Sequence, residues 1–285
     1  MGKHVLITGS NGYVGSALNK YLLEKSYTVD RLSVRNDEWK DADFSKYDIL
    51  IHLAALVHNN EPKADMKRFM DVNYKLTKEL ADKAKSEGVN QFIFFSTMAV
   101  FGLEGKLGKP ENIDLNTELK PTTEYGMSKL KADEYLESIM DDKFIVSIVR
   151  PPMVYGPNSP GNFEKLKKYA EKVPFYLNID NDRSAIYIDN LLNYVLVIIE
   201  GNEKGIFYPT NRESFRTNEV IRTIRELNNS KSYAIPVPKL VLPVLSRVSV
   251  FNKLYGNLTY DKKMQHYVEN NHIDMKDSIC KSVYR

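Results

Sequence analysis

An apolar run that leads into a cluster of glycines opens the chain. HVLIT at 4–8 has the length and composition of a buried strand, and Gly9, Gly12 and Gly15 follow it directly. Residues 13–25 then carry a helical pattern. Glycines between a strand and a helix permit a tight turn and let backbone N–H groups approach a phosphate at the helix N-terminus. The opening therefore predicts a strand, a phosphate-binding loop and a helix.

Short apolar runs alternate with helical patterns through the first half of the chain. This alternation is typical of a parallel sheet whose strands are joined by helices, and near-continuous apolar runs are typical of strands buried on both faces. We therefore expect an α/β fold. Further strands are expected at 28–34, 48–54, 91–97 and 144–150, with helices at 65–87 and 124–140.

The character of the sequence changes after Arg150. PPMVYGPNSPGN is rich in proline, glycine and asparagine, which neither a helix interior nor a central strand accepts. We expect a first domain over 1–150 and a smaller α/β lobe over most of 151–285, with 185–200 returning to the first domain.

Composition argues against several classes of function. Lysine and arginine number 40 against 37 aspartates and glutamates, and the two signs are interspersed, so we expect neither nucleic acid nor a membrane as a partner. No apolar run is long enough to cross a bilayer, and the N-terminal apolar run is too short for a signal peptide. The single cysteine, Cys280, suits a reducing cytoplasm. No metal-ligand spacing is present, so we expect no metal, and we interpret His52 as structural.

TEYGMSK at 123–129 sets Tyr125 four residues before Lys129. Side chains at that spacing share one face of a helix whether or not they have a function, so the pair is equally typical of an ordinary surface helix. Only its context can make it a catalytic pair. That context would be a phosphate-binding loop and a strand that ends in a hydroxyl residue.

Several motifs in one order supply this context. The loop has the spacing GxxGxxG, and HLAA at 52–55, FSTMAVFG at 95–102 and RPPMVYGP at 150–157 stand around the Tyr125–Lys129 pair. Together they resemble the extended branch of the short-chain dehydrogenase/reductase superfamily, the NAD-dependent epimerase/dehydratase enzymes of nucleotide sugars. The resemblance covers nearly the whole chain. It implies a Rossmann-like doubly wound parallel sheet with a smaller C-terminal α/β substrate lobe, and a homodimer.

The resemblance implies three catalytic residues, Thr97, Tyr125 and Lys129. A free tyrosine has a pKa of about 10 and is a poor base at neutral pH. We expect the Lys129 ammonium and the positive nicotinamide of an oxidised cofactor to favour the phenolate. Thr97 would orient the substrate oxygen, and Lys129 would also bind the nicotinamide ribose. Asp133, one further turn along the helix, is interpreted as a solvated surface residue.

Cofactor choice depends on the end of the second strand. By the family pattern the diagnostic position is Ser33, followed by Arg35, and a guanidinium there favours the 2′-phosphate of NADP over NAD. Asp30 is the alternative, a carboxylate that would favour NAD. The resemblance implies a cofactor-binding set of Gly9, Asn11, Gly12, Tyr13, Val14, Gly15, Ser33, Arg35, Leu53, Ala54, Ala55, Asn73, Tyr125, Lys129 and Pro152.

Three functions remain open from the sequence. The resemblance favours a reductase that transfers hydride to C4 of a UDP-4-keto-6-deoxy-N-acetylhexosamine for surface polysaccharide synthesis. The first alternative is a 4-epimerase of UDP-glucose or UDP-N-acetylglucosamine that retains NAD. The second is a non-catalytic protein that senses dinucleotides, for which the intact Thr, Tyr and Lys set gives no support. The substrate-binding residues implied are Thr97, Met98, Tyr125, Asn162 and Arg183.

Overall fold

The computed structural model describes residues 2–57, 65–265 and 272–284. Its strands are β1 (His4–Thr8), β2 (Thr28–Leu32), β3 (Ile49–His52), β4 (Gln91–Phe95), β5 (Lys106–Leu107), β6 (Asn112–Ile113), β7 (Ile145–Val149), β8 (Met153–Tyr155), β9 (Phe175–Asn178), β10 (Ala185–Tyr187), β11 (Gly205–Phe207), β12 (Tyr233–Pro236), β13 (Gly256–Asn257) and β14 (Thr259–Tyr260). Its α-helices are α1 (Tyr13–Glu24), α2 (Met66–Phe69), α3 (Leu76–Ser86), α4 (Glu124–Ile139), α5 (Asn162–Lys172), α6 (Ile188–Gly201), α7 (Thr217–Leu227), α8 (Leu242–Leu245), α9 (Ser249–Tyr255) and α10 (Met275–Tyr284).

The chain divides into two compact units. The first comprises the residues up to Gly102 with Glu118–Pro151 and Leu192–Tyr208, and the second comprises the remainder. This differs from a boundary at residue 150. Residues 103–117 lie in the second unit because β5 and β6 pair with β13 and β14. The segment that returns to the first unit is 192–208 rather than 185–200, because β11 pairs with β7.

One parallel sheet organises the first unit. Its six strands are ordered β11-β7-β4-β3-β1-β2, and each neighbouring pair is parallel. Every residue of β3 and β4 is buried, as expected of strands covered on both faces. The predicted Rossmann-like α/β fold is confirmed.

The strand order creates a crevice at one edge of this sheet. After β1 the chain moves outward to the edge strand β2 and then returns past β1 to β3. Loops that leave β1 and β3 therefore diverge at their carboxyl ends, which is where open parallel sheets bind ligands. Gly9 follows β1 and Leu53 follows β3 at this position, and the Leu53 N–H donates to the Thr8 carbonyl at 3.0 Å.

The core of the first unit fixes two helices against the sheet. Leu6, Leu50 and Phe92 of the central strands pack in one cluster with Leu80 of α3 and Leu136 of α4. The apolar side chains of α4 thereby hold the helix that carries the Tyr/Lys pair. Its first turn is capped by the Thr123 hydroxyl, which accepts from the Gly126 N–H at 3.1 Å.

The helix expected at 65–87 contains a wide turn. α2 passes into a π-helical segment, Met70–Lys75, before α3 begins. Such segments insert one extra residue into a helix and are frequent at functional sites. Here the segment contains Asn73, which is fully buried.

The second unit is built from short strand pairs and helices. β8 pairs with β10, and β9 pairs with β12. Tyr155 lies in its core, with its hydroxyl bonded to Ser278 Oγ at 2.7 Å and accepting from Asn211 Nδ2 at 2.8 Å. In the ranges that the structure describes, none of the helices has the length and apolar character to span a bilayer.

Candidate active site

Two glycines of the loop after β1 are required by the protein's own backbone. Gly9 has φ +76°, and a Cβ at this position would lie 2.4 Å from the Ala54 nitrogen. A Cβ on Gly15 would lie 2.4 Å from the Gly9 carbonyl oxygen. Any side chain at either position would therefore displace the loop.

Gly12 is the N-cap of α1 and has more room for a side chain than Gly9 or Gly15. A Cβ there meets only the Gly9 carbonyl oxygen, at 3.3 Å. No side chain caps α1, and no acidic residue lies in its first turn, which begins with Tyr13 and Val14. Asn11 and Gly12 are exposed. A helix N-terminus without a side-chain cap, beside an exposed glycine, fits an anionic ligand such as a pyrophosphate.

These three glycines give a matched pair of variants. Gly12→Ala should leave the melting temperature nearly unchanged but weaken binding of either dinucleotide by about tenfold or more, because its methyl group would occupy the space of the phosphates. Gly15→Ala should instead lower the melting temperature, because its Cβ collides with backbone. Thermal unfolding and dinucleotide titration of both variants measure these effects. Normal dinucleotide binding by Gly12→Ala would exclude the loop as the phosphate site.

Asn73 supports the loop that follows β3. Its Oδ1 accepts from the Leu56 N–H at 2.7 Å, and its Nδ2 donates to the Leu56 carbonyl and to Ser128 Oγ, both at 3.0 Å. Asn73 was expected to lie against the cofactor, but its buried amide is occupied by the chain itself. It links α4 to the loop that contains Leu53, Ala54 and Ala55, all of which are half-buried.

Thr97, Tyr125 and Lys129 meet at the carboxyl end of β4. Thr97 caps a 3-10 turn, and its Oγ1 accepts from the Ala99 N–H at 3.1 Å. A side-chain hydrogen bond joins Thr97 to Tyr125 in the first turn of α4. Lys129, one turn later, is buried and donates from Nζ to the Phe95 carbonyl at 2.7 Å. The hydroxyl, the phenol and the amine that the sequence predicted thus lie together.

Burial shifts the pKa values of the phenol and the amine in opposite directions. Burial and the Asp133 carboxylate raise the pKa of Tyr125 to about 12, although the hydrogen bond with Thr97 opposes them. Burial lowers the pKa of Lys129 to about 7, against the attraction of Asp133. In the free chain, Lys129 loses its proton at a lower pH than the phenol does, so the expected effect of Lys129 together with an oxidised nicotinamide on Tyr125 stays a prediction for the cofactor-bound state.

Asp133 is buried, so its interpretation as a solvated residue is wrong. Its Oδ2 accepts from Arg150 Nε and from Ser96 Oγ, each at 2.9 Å, and both oxygens are shielded from water. Burial raises the pKa of Asp133 to about 6, against the attraction of Arg150 and Lys129. The spacing of four residues correctly placed Asp133 on the same face of α4 as Lys129. The partner that makes Asp133 a core residue, Arg150, directly follows β7 and could not be paired with it from spacing alone.

The pKa of Lys129 predicts how stability depends on pH. Between pH 7 and 10.5 the unfolded chain keeps this proton while the folded chain releases it, so the free energy of unfolding should rise with pH there, by at most about 1.4 kcal/mol per unit. Lys129→Met should remove this contribution. Lys131→Met, an exposed lysine on the same helix, should keep it. Urea unfolding at pH 7 to 9 measures the slopes, and equal slopes for wild type and Lys129→Met would contradict the lowered pKa.

The end of β2 carries Ser33 and Arg35, both exposed. β2 ends at Leu32 instead of continuing to residue 34, so both side chains lie in the loop beyond it. Within the described residues, the Arg35 guanidinium has no ion-pair or hydrogen-bond partner. Asp30 is engaged elsewhere, because its Oδ2 accepts from the Tyr47 hydroxyl at 2.8 Å and from Lys46 Nζ at 3.2 Å.

The predicted substrate residues are divided between the two units. Met98 is buried in the first unit, and its N–H donates to the Pro151 carbonyl at 3.0 Å. The second unit contains Asn162, which is exposed at the start of α5, and also the predicted cofactor residue Pro152, which is buried. Arg183 also lies there.

The guanidinium of Arg183 is partly occupied by backbone. Nη1 donates to the carbonyls of Asn252 and Lys253 at 2.9 and 3.2 Å, and Nη2 donates to that of Glu104 at 3.1 Å. Three N–H donors are thus used within the second unit. The remaining two of its five donors have no hydrogen-bond partner among the described residues.

His52 does not belong to a metal site. Its ring lies between the hydroxyls of Thr8 and Thr77, at 2.6 and 3.0 Å, and burial together with the nearby Lys129 lowers its pKa to about 3. His58 lies outside the described residues. Across the ranges that are described, no three histidine, cysteine, aspartate or glutamate side chains are gathered as metal ligands would be.

The sequence of this chain matches the model of a known protein family. The model described as the NAD dependent epimerase/dehydratase family matches residues 5–208, which include the glycine loop, Thr97 and the Tyr125–Lys129 pair. The chain belongs to the NAD-dependent epimerase/dehydratase family. It is accordingly an enzyme that depends on NAD or NADP, and the extended short-chain dehydrogenase/reductase resemblance found in the sequence is confirmed.

Several named proteins align with nearly the whole chain. A UDP-glucose 4-epimerase from Vibrio cholerae is 29% identical over 92% of this chain and 88% of its own length. A UDP-glucuronic acid 4-epimerase from Bacillus cereus, solved with NAD, aligns with a TM-score of 0.74 at 18% identity, over 98% of this chain and 97% of that one. A dTDP-4-dehydrorhamnose reductase from Bacillus anthracis, solved with NADP, aligns at 0.68 and 18% identity, over 99% of both chains. The two structures support the fold.

Proposed function

We propose that this member of the NAD-dependent epimerase/dehydratase family is an NADPH-dependent reductase of a 4-keto sugar nucleotide. The proposal rests mainly on the residues at and beyond the end of β2. Arg35 is exposed there, and Asp30 is held by Tyr47 and Lys46. A guanidinium favours a 2′-phosphate, because its planar donors meet phosphate oxygens in pairs. The next carboxylate along the chain, Asp37, pairs with Lys40 at 2.9 Å.

Thr97 and Tyr125 would act on the substrate oxygen. A reduced nicotinamide, when bound, would supply the hydride that C4 gains. Tyr125 is protonated at neutral pH, as any tyrosine of ordinary pKa is, and burial raises its pKa further, so its phenol holds the proton that the C4 oxygen gains. Thr97 Oγ1 orients that oxygen, and Lys129 Nζ binds ribose hydroxyls. The ketone gains one hydride and one proton and becomes a secondary alcohol. Solvent then returns a proton to Tyr125.

The substrate class is supported by the relatives. The Vibrio cholerae enzyme is named for a UDP-sugar, and it aligns with nearly all of this chain. We infer that the substrate here is a UDP-N-acetylhexosamine with a 4-keto-6-deoxy sugar. In this proposal Asn162 and the two remaining donors of Arg183 hold the diphosphate, and Met98 contacts the sugar.

A 4-epimerase is the second candidate, and the name of that relative favours it. It would use Thr97, Tyr125 and Lys129 in the same roles. It would retain NAD and return the hydride to the opposite face of the sugar. The two candidates therefore differ in whether cofactor is consumed.

Arg35 gives a prediction for cofactor choice. Arg35→Ala should raise the dissociation constant for NADPH by about 10- to 100-fold and leave that for NADH nearly unchanged, because a charge-assisted hydrogen bond contributes about 1.5–3 kcal/mol. Arg31→Ala is the control, since Arg31 is an exposed arginine within β2. Fluorescence titration with both dinucleotides measures the constants. An equal loss for both would mean that Arg35 does not contact the 2′-phosphate.

The decisive assay separates reduction from epimerisation. The purified protein is extracted for nucleotide and then tested with two substrates. A reductase should carry little dinucleotide and should oxidise added NADPH stoichiometrically with a UDP-4-keto-6-deoxy-N-acetylhexosamine. If it carries NAD and converts UDP-N-acetylglucosamine to its C4 epimer without added cofactor, the reductase proposal fails.

A further inference from the structure

The stretch that ends with β14 differs from the rest of the chain in charge. From Leu227 to Tyr260 there is no aspartate or glutamate, although the whole chain has 37 of them. The same stretch contains Lys231, Lys239, Arg247 and Lys253, all exposed. The even balance of charge over the whole chain therefore conceals a locally cationic region. In the described part of the chain, none of these four cations forms an ion pair.

The centre of this stretch, residues 239–250, has apolar side chains both toward the core and toward solvent. A 3-10 turn, α8 and the start of α9 form it. Its inner side chains, Leu242 and Leu245, pack on a core cluster that includes Tyr255. Its outer side chains face solvent, with exposures of 91% for Leu240, 40% for Val241, 61% for Val244, 49% for Val248 and 52% for Val250.

Such an outer face is unusual for a surface helix. Surface helices normally bury one apolar stripe and present polar residues to water. Contiguous exposed apolar side chains on a folded protein mark a surface that another phase or molecule covers. Exposed cations within the same stretch of sequence, which contains no acidic residue, give it the composition of an interfacial segment that binds anionic lipid.

We propose that residues 239–250 dock this enzyme on the surface of an anionic phospholipid bilayer. Leu240 and Val244 enter the boundary between headgroups and acyl chains, and Lys239, Arg247 and Lys253 pair with lipid phosphates. A second copy of the chain fits this face less well, because a two-fold interface would set the same cations against one another. The proposal does not depend on the reaction or on the choice of cofactor.

The test is flotation of the whole protein with vesicles in the absence of nucleotide. Vesicles of phosphatidylglycerol and phosphatidylethanolamine should bind it, and vesicles of phosphatidylcholine should bind it much more weakly. Binding to the anionic vesicles should decline as salt is raised, because salt screens exposed charges. Lys239→Ala and Arg247→Ala should each lower the partition coefficient about fivefold, which corresponds to about 1 kcal/mol per cation.

The apolar contribution is tested separately from the charge. Leu240→Ser combined with Val244→Ser should lower vesicle binding by about tenfold or more, since both side chains leave water on docking. Leu115→Ser is the control, because Leu115 is 76% exposed but follows Asp114. All substituted positions are exposed, and thermal unfolding verifies that each variant is folded.

Three results would overturn the proposal. One is the absence of binding to anionic vesicles at low salt. Another is equal binding by wild type and the Leu240→Ser, Val244→Ser variant. The third is a wild-type dimer in analytical ultracentrifugation that this variant abolishes, which would assign the face to a second copy of the chain.

Discussion

The buried polar contacts of α4 determine where the catalytic candidates lie. Lys129 Nζ donates to the Phe95 carbonyl, and Asp133 is paired with Arg150 beside β7. Both charged groups are removed from water, so each depends on its partner. Removing one member of a buried ion pair typically costs about 3–5 kcal/mol, because the other is left uncompensated. The helix is therefore held in one rotation against the sheet, with Tyr125 at the carboxyl end of β4.

The same contacts set the protonation states of Tyr125 and Lys129 in the free chain. Burial raises the pKa of Tyr125 and lowers that of Lys129, and the Asp133 carboxylate adds to the rise at Tyr125 and opposes the fall at Lys129. The phenol is therefore a stable proton donor near neutral pH. An additional positive charge beside the phenol would favour the phenolate. A nicotinamide in its oxidised form would bring that charge.

Local patterns were sufficient to predict much of this molecule from its sequence. The glycine loop, the buried strands and the Tyr125–Lys129 spacing each depend on a few neighbouring residues, so they were predictable. The buried positions of Asp133 and Asn73 were not predictable. Asp133 depends on Arg150 and Asn73 on Leu56, and each partner lies in a different segment of the chain. The assignment of residues 103–117 to the second unit and of 192–208 to the first was not predictable for the same reason, since it follows from long-range strand pairing.

The most direct test of the account is the ionisation of Tyr125 with and without cofactor. Carbon-13 NMR of ring-labelled tyrosine, with Tyr125→Phe to assign the signal, follows the phenol as pH is raised. Because burial raises its pKa to about 12, Tyr125 should remain protonated up to pH 10 in the free chain and with NADPH. With NADP⁺ its pKa should fall by at least about one unit, because the nicotinamide charge favours the phenolate. A Tyr125 signal that titrates identically in all three states would contradict the placement of the nicotinamide beside this phenol.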